Sequence, residues 1–430
     1  MAEESEIDLF DFSKTPSKKR KIETCFYQNI ECDTLTNAVN PEQLTFSIPA
    51  QGEGLFIDVS QTKLYLKLQL VRGDGELIVD IVESDGSTVK TDKKKRVTTI
   101  QNSGPSLLDN IFFKIRHMHL KSVKYASLIS YVRRLITPDQ DKLDGLAGFF
   151  PLDQSGKFDS ENNTALSKRY IFGNTKQEFV FHIDHPLFLQ PRAVPAHFPC
   201  ELICDLKKPE YYLQSFQSDL PNGYFGYKIL SAQLQLRYLT LEPSFEKSLV
   251  SKMKNNTLYY DINEVECYDI TLNSSIQEFN KNIFTNDTLP ESCLFFLISH
   301  DNHIGTYSKS PFNFEKHGLK SIGVHVNGKL VHGCELDTSN DTEIYDNLNL
   351  LPDIAKSKLG SLSKSDISKG YCILPFVLKH PMDSDSDPLT GNLSVSLKFN
   401  SVPATNLHLI CMAFRNTTFS LKSDGNFFYE

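Results

Sequence analysis

The chain has no tryptophan and only five methionines among its 430 residues. It also has no apolar run near the roughly 18 residues that a membrane-spanning helix needs, so no membrane span is predicted. Residues 1–12 are acidic and lack the apolar core of a secretory signal, so we expect a protein that is not secreted. The glycine-rich phosphate-binding motifs and the G-x-S-x-G motif of hydrolases are also missing. These absences argue against a membrane protein and against several large enzyme classes.

The net charge and the cysteines exclude further classes of protein. The formal net charge is −8, so bulk electrostatics does not favour a nucleic-acid binder. The nine cysteines are scattered and odd in number, and without an export signal we expect reduced thiols. Cys200 and Cys204 fall on one face of a predicted strand. Because no second Cys or His pair stands at zinc spacing, we expect buried free thiols there.

Short apolar runs with many aromatic residues, 30 Phe and 17 Tyr, favour β-strands. Residues 63–70 alternate strictly between apolar and polar side chains, and residues 229–238 do the same, as in half-buried strands. In the run 319–331, Asn327-Gly328 predicts a hairpin turn. Further strands are predicted at 77–82, 178–183, 200–206, 258–262, 294–299, 371–378, 393–399 and 407–414.

Few segments have helical spacing. Residues 125–136 carry apolar side chains at helical intervals, and Pro138 ends the run. Pro243 opens a second short helix, and a third is predicted near 347–355. Many short strands with few helices, and a break near 217–225, predict an all-β fold. We expect a double jelly roll, two tandem eight-stranded β-sandwiches with a few short helices in loops.

The expected domains follow from this division. Residues 1–40 are predicted to be a poorly ordered N-terminal arm with a basic cluster. Residues 41–222 form the first predicted jelly roll, and residues 223–430 form the second.

Several segments, in order along the chain, resemble the major capsid protein of Polinton (Maverick) elements, which are virus-like DNA transposons. The resemblance is closest at residues 307–314 and extends over most of the chain. It departs from the family in two places, which we name the first long loop (139–163) and the second long loop (338–369). The other segments that carry the resemblance are 7–10, 46–70, 107–112, 125–136, 168–170, 187–190 and 424–429.

The resemblance implies a structural protein with no active site and no cofactor. The family's capsid protein forms a homotrimeric, pseudo-hexameric capsomer of an icosahedral shell that encloses double-stranded DNA without sequence-specific binding. The implied partners are further copies of the chain and a minor capsid or penton protein. The implied location is the virion capsid of an intact element, and otherwise the nucleus or cytoplasm. The alternative is a co-opted intracellular β-sandwich binding or scaffold protein derived from such a capsid protein.

One short motif lies in the arm. Lys18, Lys19, Arg20 and Lys21 follow Pro16 and form a candidate nuclear-localisation cluster. Contact with DNA phosphates and a solvated basic stretch without function are the alternatives. The acidic residues just before the cluster weaken the DNA alternative.

The sequence contains one enzyme-like pattern and one calcium-like pattern. His182 and Asp184 have the H-x-D spacing of the iron-binding triad of jelly-roll oxygenases. The candidate third ligands all fall in the other half of the chain, and they are His325, His332 and His408. The run 383–387 imitates a calcium loop, but proline and serine occupy its glycine and final acidic positions. We expect no metal at either place.

Overall fold

The computed structural model describes residues 22–33, 38–78, 97–137, 144–170, 176–216, 221–255, 257–331, 333–351, 362–378, 389–422 and 425–429. The strands within these ranges are β1 (Ile22–Glu31), β2 (Gln43–Ile48), β3 (Leu55–Arg72), β4 (Thr98–Thr99), β5 (Leu108–Ile115), β6 (Met118–His119), β7 (Gln177–His182), β8 (Val194–Pro195), β9 (Cys200–Leu206), β10 (Leu213–Gln214), β11 (Phe225–Leu241), β12 (Leu258–Leu272), β13 (Glu278–Thr288), β14 (Ser292–Ser299), β15 (Leu319–Val326), β16 (Lys329–Leu330), β17 (Leu336–Asp337), β18 (Leu374–Val377), β19 (Thr390–Phe399), β20 (Leu407–Leu421) and β21 (Phe427–Tyr429).

The helices are short and lie between the strands. They are α1 (Ser103–Ser106), α2 (Ala126–Ile136), α3 (Thr164–Tyr170), α4 (Pro186–Leu189), α5 (Pro209–Tyr212), α6 (Pro243–Asn255), α7 (His300–Ile304), α8 (Asp341–Asn349) and α9 (Lys364–Ile367). In the part of the chain that the structure describes, no helix has the length and apolar character to cross a membrane.

Eight strands of the first half form two antiparallel sheets, which together we call the first sandwich. One sheet has the order β1-β11-β3-β7, with β8 added beside β3, and the other has the order β2-β9-β5-β6. If these eight strands are numbered along the chain, the sheets run one-eight-three-six and two-seven-four-five. This interleaving of two Greek keys is the jelly-roll arrangement.

The second half repeats the same strand order, and we call it the second sandwich. Its sheets are β12-β20-β14-β18 and β13-β19-β15-β16, with β21 added beside β20 and β17 beside β15. Numbered along the chain, these strands also run one-eight-three-six and two-seven-four-five. The predicted double jelly roll is therefore confirmed.

Alternation in the sequence explains the long central strand β3. Leu64, Leu66, Leu68 and Leu70 are each at most 2% exposed, while the side chains between them are half-buried. Because successive side chains on a strand point to opposite faces, this pattern places the four leucines in the core. Burial of a leucine contributes roughly 1.5–3 kcal/mol to folding, so the register of β3 is strongly fixed.

Strand pairing corrects both predicted domain boundaries. Strand β1 lies inside the predicted arm, yet it pairs along its length with β11. Strand β11 begins after the predicted boundary at residue 222, yet it lies between β1 and β3 in the first sandwich. An alternating sequence identifies a strand but not its partners, so only the strand pairing shows that β11 belongs to the first sandwich. Residues 1–21 lie outside the described residues, so the order of that part of the arm stays a prediction.

Most of the helix ends and the hairpin turn predicted from the sequence agree with the structure, and one helix and one strand differ. Helix α2 ends just before Pro138, as predicted, and α6 begins at Pro243. Asn327 and Gly328 have φ values of 50° and 80°, as the predicted hairpin turn between β15 and β16 requires. Helix α8 begins earlier than predicted, because the side chain of Asn340 accepts a hydrogen bond from its first turn. Strand β13 was not predicted, because most of its side chains are polar and exposed.

Candidate functional site

The two sandwiches meet along an interface that includes the segment in which the family resemblance is closest. The carboxylate of Asp159, from the first sandwich, is surrounded there by donors from the second. Its Oδ1 accepts a hydrogen bond from the backbone N–H of Ser310 at 2.7 Å. Its Oδ2 accepts from the amides of Asn302 at 3.3 Å and Asn313 at 3.1 Å, and the ammonium of Lys309 lies 3.6 Å away. Hydrogen bonds to an ionised acceptor are stronger than neutral ones, so one carboxylate fixes this segment.

Aromatic rings fill the interface on either side of Asn313. The ring of Tyr131, on α2, stacks on Phe312 with centroids 3.9 Å apart and planes 11° apart. Phe314 meets Tyr131 edge-on at 6.0 Å and packs against Phe296 of β14 at 4.4 Å. All four rings are fully buried, and burial raises the pKa of Tyr131 well above its ordinary value. Because the chain has no tryptophan, Phe and Tyr supply this contact area.

A buried ion pair lies at the edge of this aromatic layer. Arg169 and Asp153 are 2.7 Å apart, and their side chains are 8% and 1% exposed. From the second sandwich, the hydroxyl of Tyr371 donates to the backbone carbonyl of Asp153 at 2.7 Å. Gln101 accepts hydrogen bonds from the Tyr131 hydroxyl and the Asp153 backbone N–H, both at 3.2 Å. Buried polar groups of this kind are costly unless they have partners, so the network specifies one relative position of the sandwiches.

The two long loops, in which the chain departs from the family, contact each other here. The hydroxyl of Ser155 donates to the carboxylate of Asp366, and the backbone N–H of Gly156 donates to the carbonyl of Lys369 at 2.7 Å. Burial alone would raise the pKa of Asp366, but hydrogen bonds from Ser155 and Ser363 outweigh burial and lower it. Parts of both loops therefore join the sandwiches.

A separate contact is centred on Lys121 of the first sandwich. Its ammonium lies 2.9 Å from Glu264 and also contacts Glu266, both on β12, and its backbone N–H donates to the Tyr429 hydroxyl at 2.9 Å. Burial alone would lower the pKa of Lys121, but hydrogen bonds to the two carboxylates raise it. Burial likewise would raise the pKa of Glu266, but hydrogen bonds from Lys121 and Tyr268 lower it. The charged forms of this pair are thus favoured in the folded chain.

The structure gives the oxygenase-like pair separate partners. Nδ1 of His182 lies 2.9 Å from the backbone carbonyl oxygen of Thr62, and Asp184 lies 3.4 Å from Arg133. Of the candidate third ligands, His408 belongs to a different cluster in the second sandwich, and His332 lies outside the described residues. The pair therefore belongs to the packing of the first sandwich.

The predicted pair of cysteines lies on β9, as expected. Cys200 and Cys204 are both buried, and all nine cysteines are free thiols. Burial raises the pKa of Cys200 to about 12 and also raises that of Cys204. Both side chains therefore remain protonated at neutral pH and act as small apolar groups.

Two predicted segments lie outside the described residues. They are the basic cluster of Lys18, Lys19, Arg20 and Lys21, and the calcium-like run 383–387. The nuclear-localisation assignment stays a prediction.

Sequence reasoning missed one cluster, which we call the histidine cluster: Asp269, His300, His303 and His408. Oδ1 of Asp269 lies 2.7 Å from Nδ1 of His408, and Oδ2 lies 2.9 Å from Nε2 of His303. Nε2 of His408 lies 3.0 Å from Nδ1 of His300. The hydrogen bonds from His303 and His408 outweigh burial and lower the pKa of Asp269. Only the H-x-x-H spacing of His300 and His303 was visible in the sequence, since the other two residues are brought in by strand pairing.

No known family model matches the sequence, and no curated protein matches it. Solved structures do match. A chain in the 3.5 Å cryo-EM structure of the Sputnik virophage has a TM-score of 0.65 at 13% identity, covering 98% of this chain and 91% of that chain. The mavirus major capsid protein has a TM-score of 0.53 at 11% identity, covering 98% and 94%. The Faustovirus major capsid protein has a TM-score of 0.54 at 11% identity, covering 94% and 92%.

The chain has the double jelly-roll fold of these capsid proteins. The matches extend over nearly the whole of both chains, so they include both sandwiches and the interface between them. Two of these neighbours are named as major capsid proteins.

Proposed function

We propose that the chain is the structural major capsid protein of a Polinton-like element. One observation carries the proposal: the jelly-roll strand order occurs twice in the chain, and the whole length corresponds to viral major capsid proteins. The resemblance of residues 307–314 to the Polinton family supports the finer assignment. In the structure, this segment holds the two sandwiches together through Asp159. The sequence of residues 307–314 is therefore constrained by the contact between the two sandwiches.

The proposed assembly is a homotrimer that forms a pseudo-hexameric capsomer. Because buried rings and charges join the two sandwiches, each chain behaves as one block with two similar halves. Three such blocks around a threefold axis present six sandwiches, and equal interfaces can then tile an icosahedral shell. The proposed contents are double-stranded DNA held without sequence-specific contacts, which agrees with the net charge of −8.

The outer edge of β1 offers a surface for a neighbouring copy. Ile22, Phe26 and Tyr27 are 44%, 44% and 53% exposed, and β1 is the end strand of its sheet in the order above. An exposed apolar edge strand favours pairing or packing with another chain. This surface supports assembly of the chain with itself.

Light scattering coupled to size exclusion tests the assembly. We expect a mass three times that of the 48.8 kDa chain, and negative-stain images of the main peak with a hexagonal outline or closed shells. A monomer at high concentration would contradict the capsomer proposal. That result would favour the co-opted intracellular binding or scaffold protein, for which the jelly-roll fold would be unchanged.

For Lys18, Lys19, Arg20 and Lys21, we propose nuclear import of newly made capsid protein. Replacement of all four by alanine in the full chain, fused to a fluorescent protein, should shift the signal from nucleus to cytoplasm. The matched control replaces the equally basic run 93–96 by alanine and should leave the distribution unchanged. Equal effects of both variants would argue for a non-specific charge effect.

A further inference from the structure

The sheet that contains β12 and β20 places the members of the histidine cluster together. In the antiparallel register, Thr271 of β12 is opposite His408 of β20, so Asp269 is a diagonal neighbour of His408 on the same face. On the other side of β20, Ile298 of β14 is opposite His408. Strand β14 leads into α7, which brings His303 over the same face. Three chain segments that are distant in sequence therefore converge on one point.

The three segments together supply side chains that can bind a metal ion. The ligand atoms of Asp269, His303 and His408 all lie within 4.8 Å of one another. In a tetrahedral zinc site with bonds of about 2.0–2.1 Å, neighbouring ligand atoms are about 3.3 Å apart, so small side-chain rotations suffice. We propose that these three residues bind a divalent transition-metal ion of the zinc class, through Nε2 of His303, Nδ1 of His408 and the carboxylate.

The surroundings of His408 support it as they do a ligand in known metal sites. Once Nδ1 of His408 binds the ion, its Nε2–H can donate to Nδ1 of His300, which lies 3.0 Å away. A ligating histidine normally donates its second N–H in this way, and the contact fixes the ring orientation. The rings of His303 and His408 are stacked, with centroids 4.1 Å apart. The ring of Tyr125 lies on the other side of His303, with ring centroids 6.2 Å apart.

The proposed ion would stabilise the second sandwich where it meets the first. It would join β12, β20 and α7 through ligand bonds. The residue after α7, Gly305, packs so closely on Tyr211 of α5 that an added Cβ would lie 2.5 Å from the Tyr211 Cα. A doubly protonated ring would release one proton on binding, whereas a neutral ring would keep its proton on the nitrogen that does not bind, and no electron transfer is involved. The inference does not depend on the capsid function.

Cobalt and zinc titrations of the full chain, purified without a polyhistidine tag and freed of metal by chelation, test the site. We expect one ion bound per chain, visible absorption bands of nitrogen- and oxygen-liganded Co²⁺, and a rise in melting temperature with Zn²⁺ that a chelator reverses. These measurements on the unmodified chain need no variant. If neither metal binds and melting is unchanged, the cluster is only a hydrogen-bonded network and the proposal fails.

Variants separate this site from binding to surface histidines. His303→Ala should abolish the cobalt spectrum, and His300→Ala should weaken affinity by about 10–100-fold, as for other groups that orient a ligand. The matched control, His119→Ala, removes an exposed histidine on β6 and should change neither affinity nor spectrum. Binding that persists in His303→Ala, or that is lost in His119→Ala, would overturn the assignment.

Discussion

At the scale of single residues, the interface between the sandwiches is held by side chains with several partners each. Asp159 is the clearest case, because it accepts hydrogen bonds from one backbone N–H and two side-chain amides of the second sandwich. Removal of this acceptor leaves the backbone N–H of Ser310 without its partner, and the amides of Asn302 and Asn313 keep only their bonds to Ser310 and Glu315. Such a loss costs more than the net value of any one hydrogen bond.

Asp159→Ala should lower the free energy of unfolding by about 2–4 kcal/mol, because each buried group left unpaired costs about 1–3 kcal/mol. Urea denaturation followed by circular dichroism measures the change. The matched control is Asp261→Ala, which removes the exposed contact between Asp261 and Arg192. The control should cost under about 1 kcal/mol. Equal losses in the two variants would mean that Asp159 does not join the sandwiches as described.

At the scale of elements, the strands and turns follow local chemistry closely. The hairpin of β15 and β16 depends on two residues with positive φ, Asn327 and Gly328. Glycine adopts this conformation without steric cost, whereas a side chain with a Cβ does not. The glycine at position 328 therefore helps to fix how β15 and β16 are joined.

Gly328→Ala should destabilise the chain by about 1 kcal/mol, because the left-handed conformation costs an L-residue about 1–2 kcal/mol. A Cβ at Gly328 would meet nothing within 4 Å, so the effect isolates backbone strain from steric clash. Thermal melting measures it. Gly52→Ala is the matched control, since its site is equally open but has no positive φ. A larger loss in Gly52→Ala than in Gly328→Ala would contradict this account.

At the scale of the whole molecule, the sandwiches form one body because charged and aromatic groups cross between them. Most buried apolar side chains of both sandwiches form one connected cluster, and Phe56, Leu239 and Leu241 form a small second cluster. The contact of Lys121 with Glu264 and Glu266 adds a link whose strength depends on pH. Relative motion of the halves would break all of these contacts at once.

Glu266→Gln should lower stability at neutral pH by about 1 kcal/mol, since its partner Lys121 is partly exposed. The folded pKa of Glu266 lies below the ordinary 4.5, so its stabilising effect is present above pH 4.5 and is lost as the pH falls through the folded pKa. The gap between wild type and variant should therefore close in acid. Urea denaturation at a series of pH values measures it. Glu161→Gln, at an exposed position, should show no such pH-dependent gap.

The sequence by itself determined most of the strands, the hairpin turn and the double character of the fold. Alternation in β3 and β11, the hairpin at Asn327-Gly328 and the helix that ends before Pro138 are local properties, because they depend on neighbouring residues along the chain. The family resemblance added the expected fold. The whole-chain structural matches agree with that fold.

Only the tertiary structure decided which distant groups meet. It placed β11 beside β1, moved the domain boundary, brought Asp159 to Ser310 and assembled the histidine cluster. A strand can pair with any other strand of compatible pattern, and a polar side chain shows no partner in the sequence. These contacts follow from the order of strands in the sheets, which is a property of the whole chain.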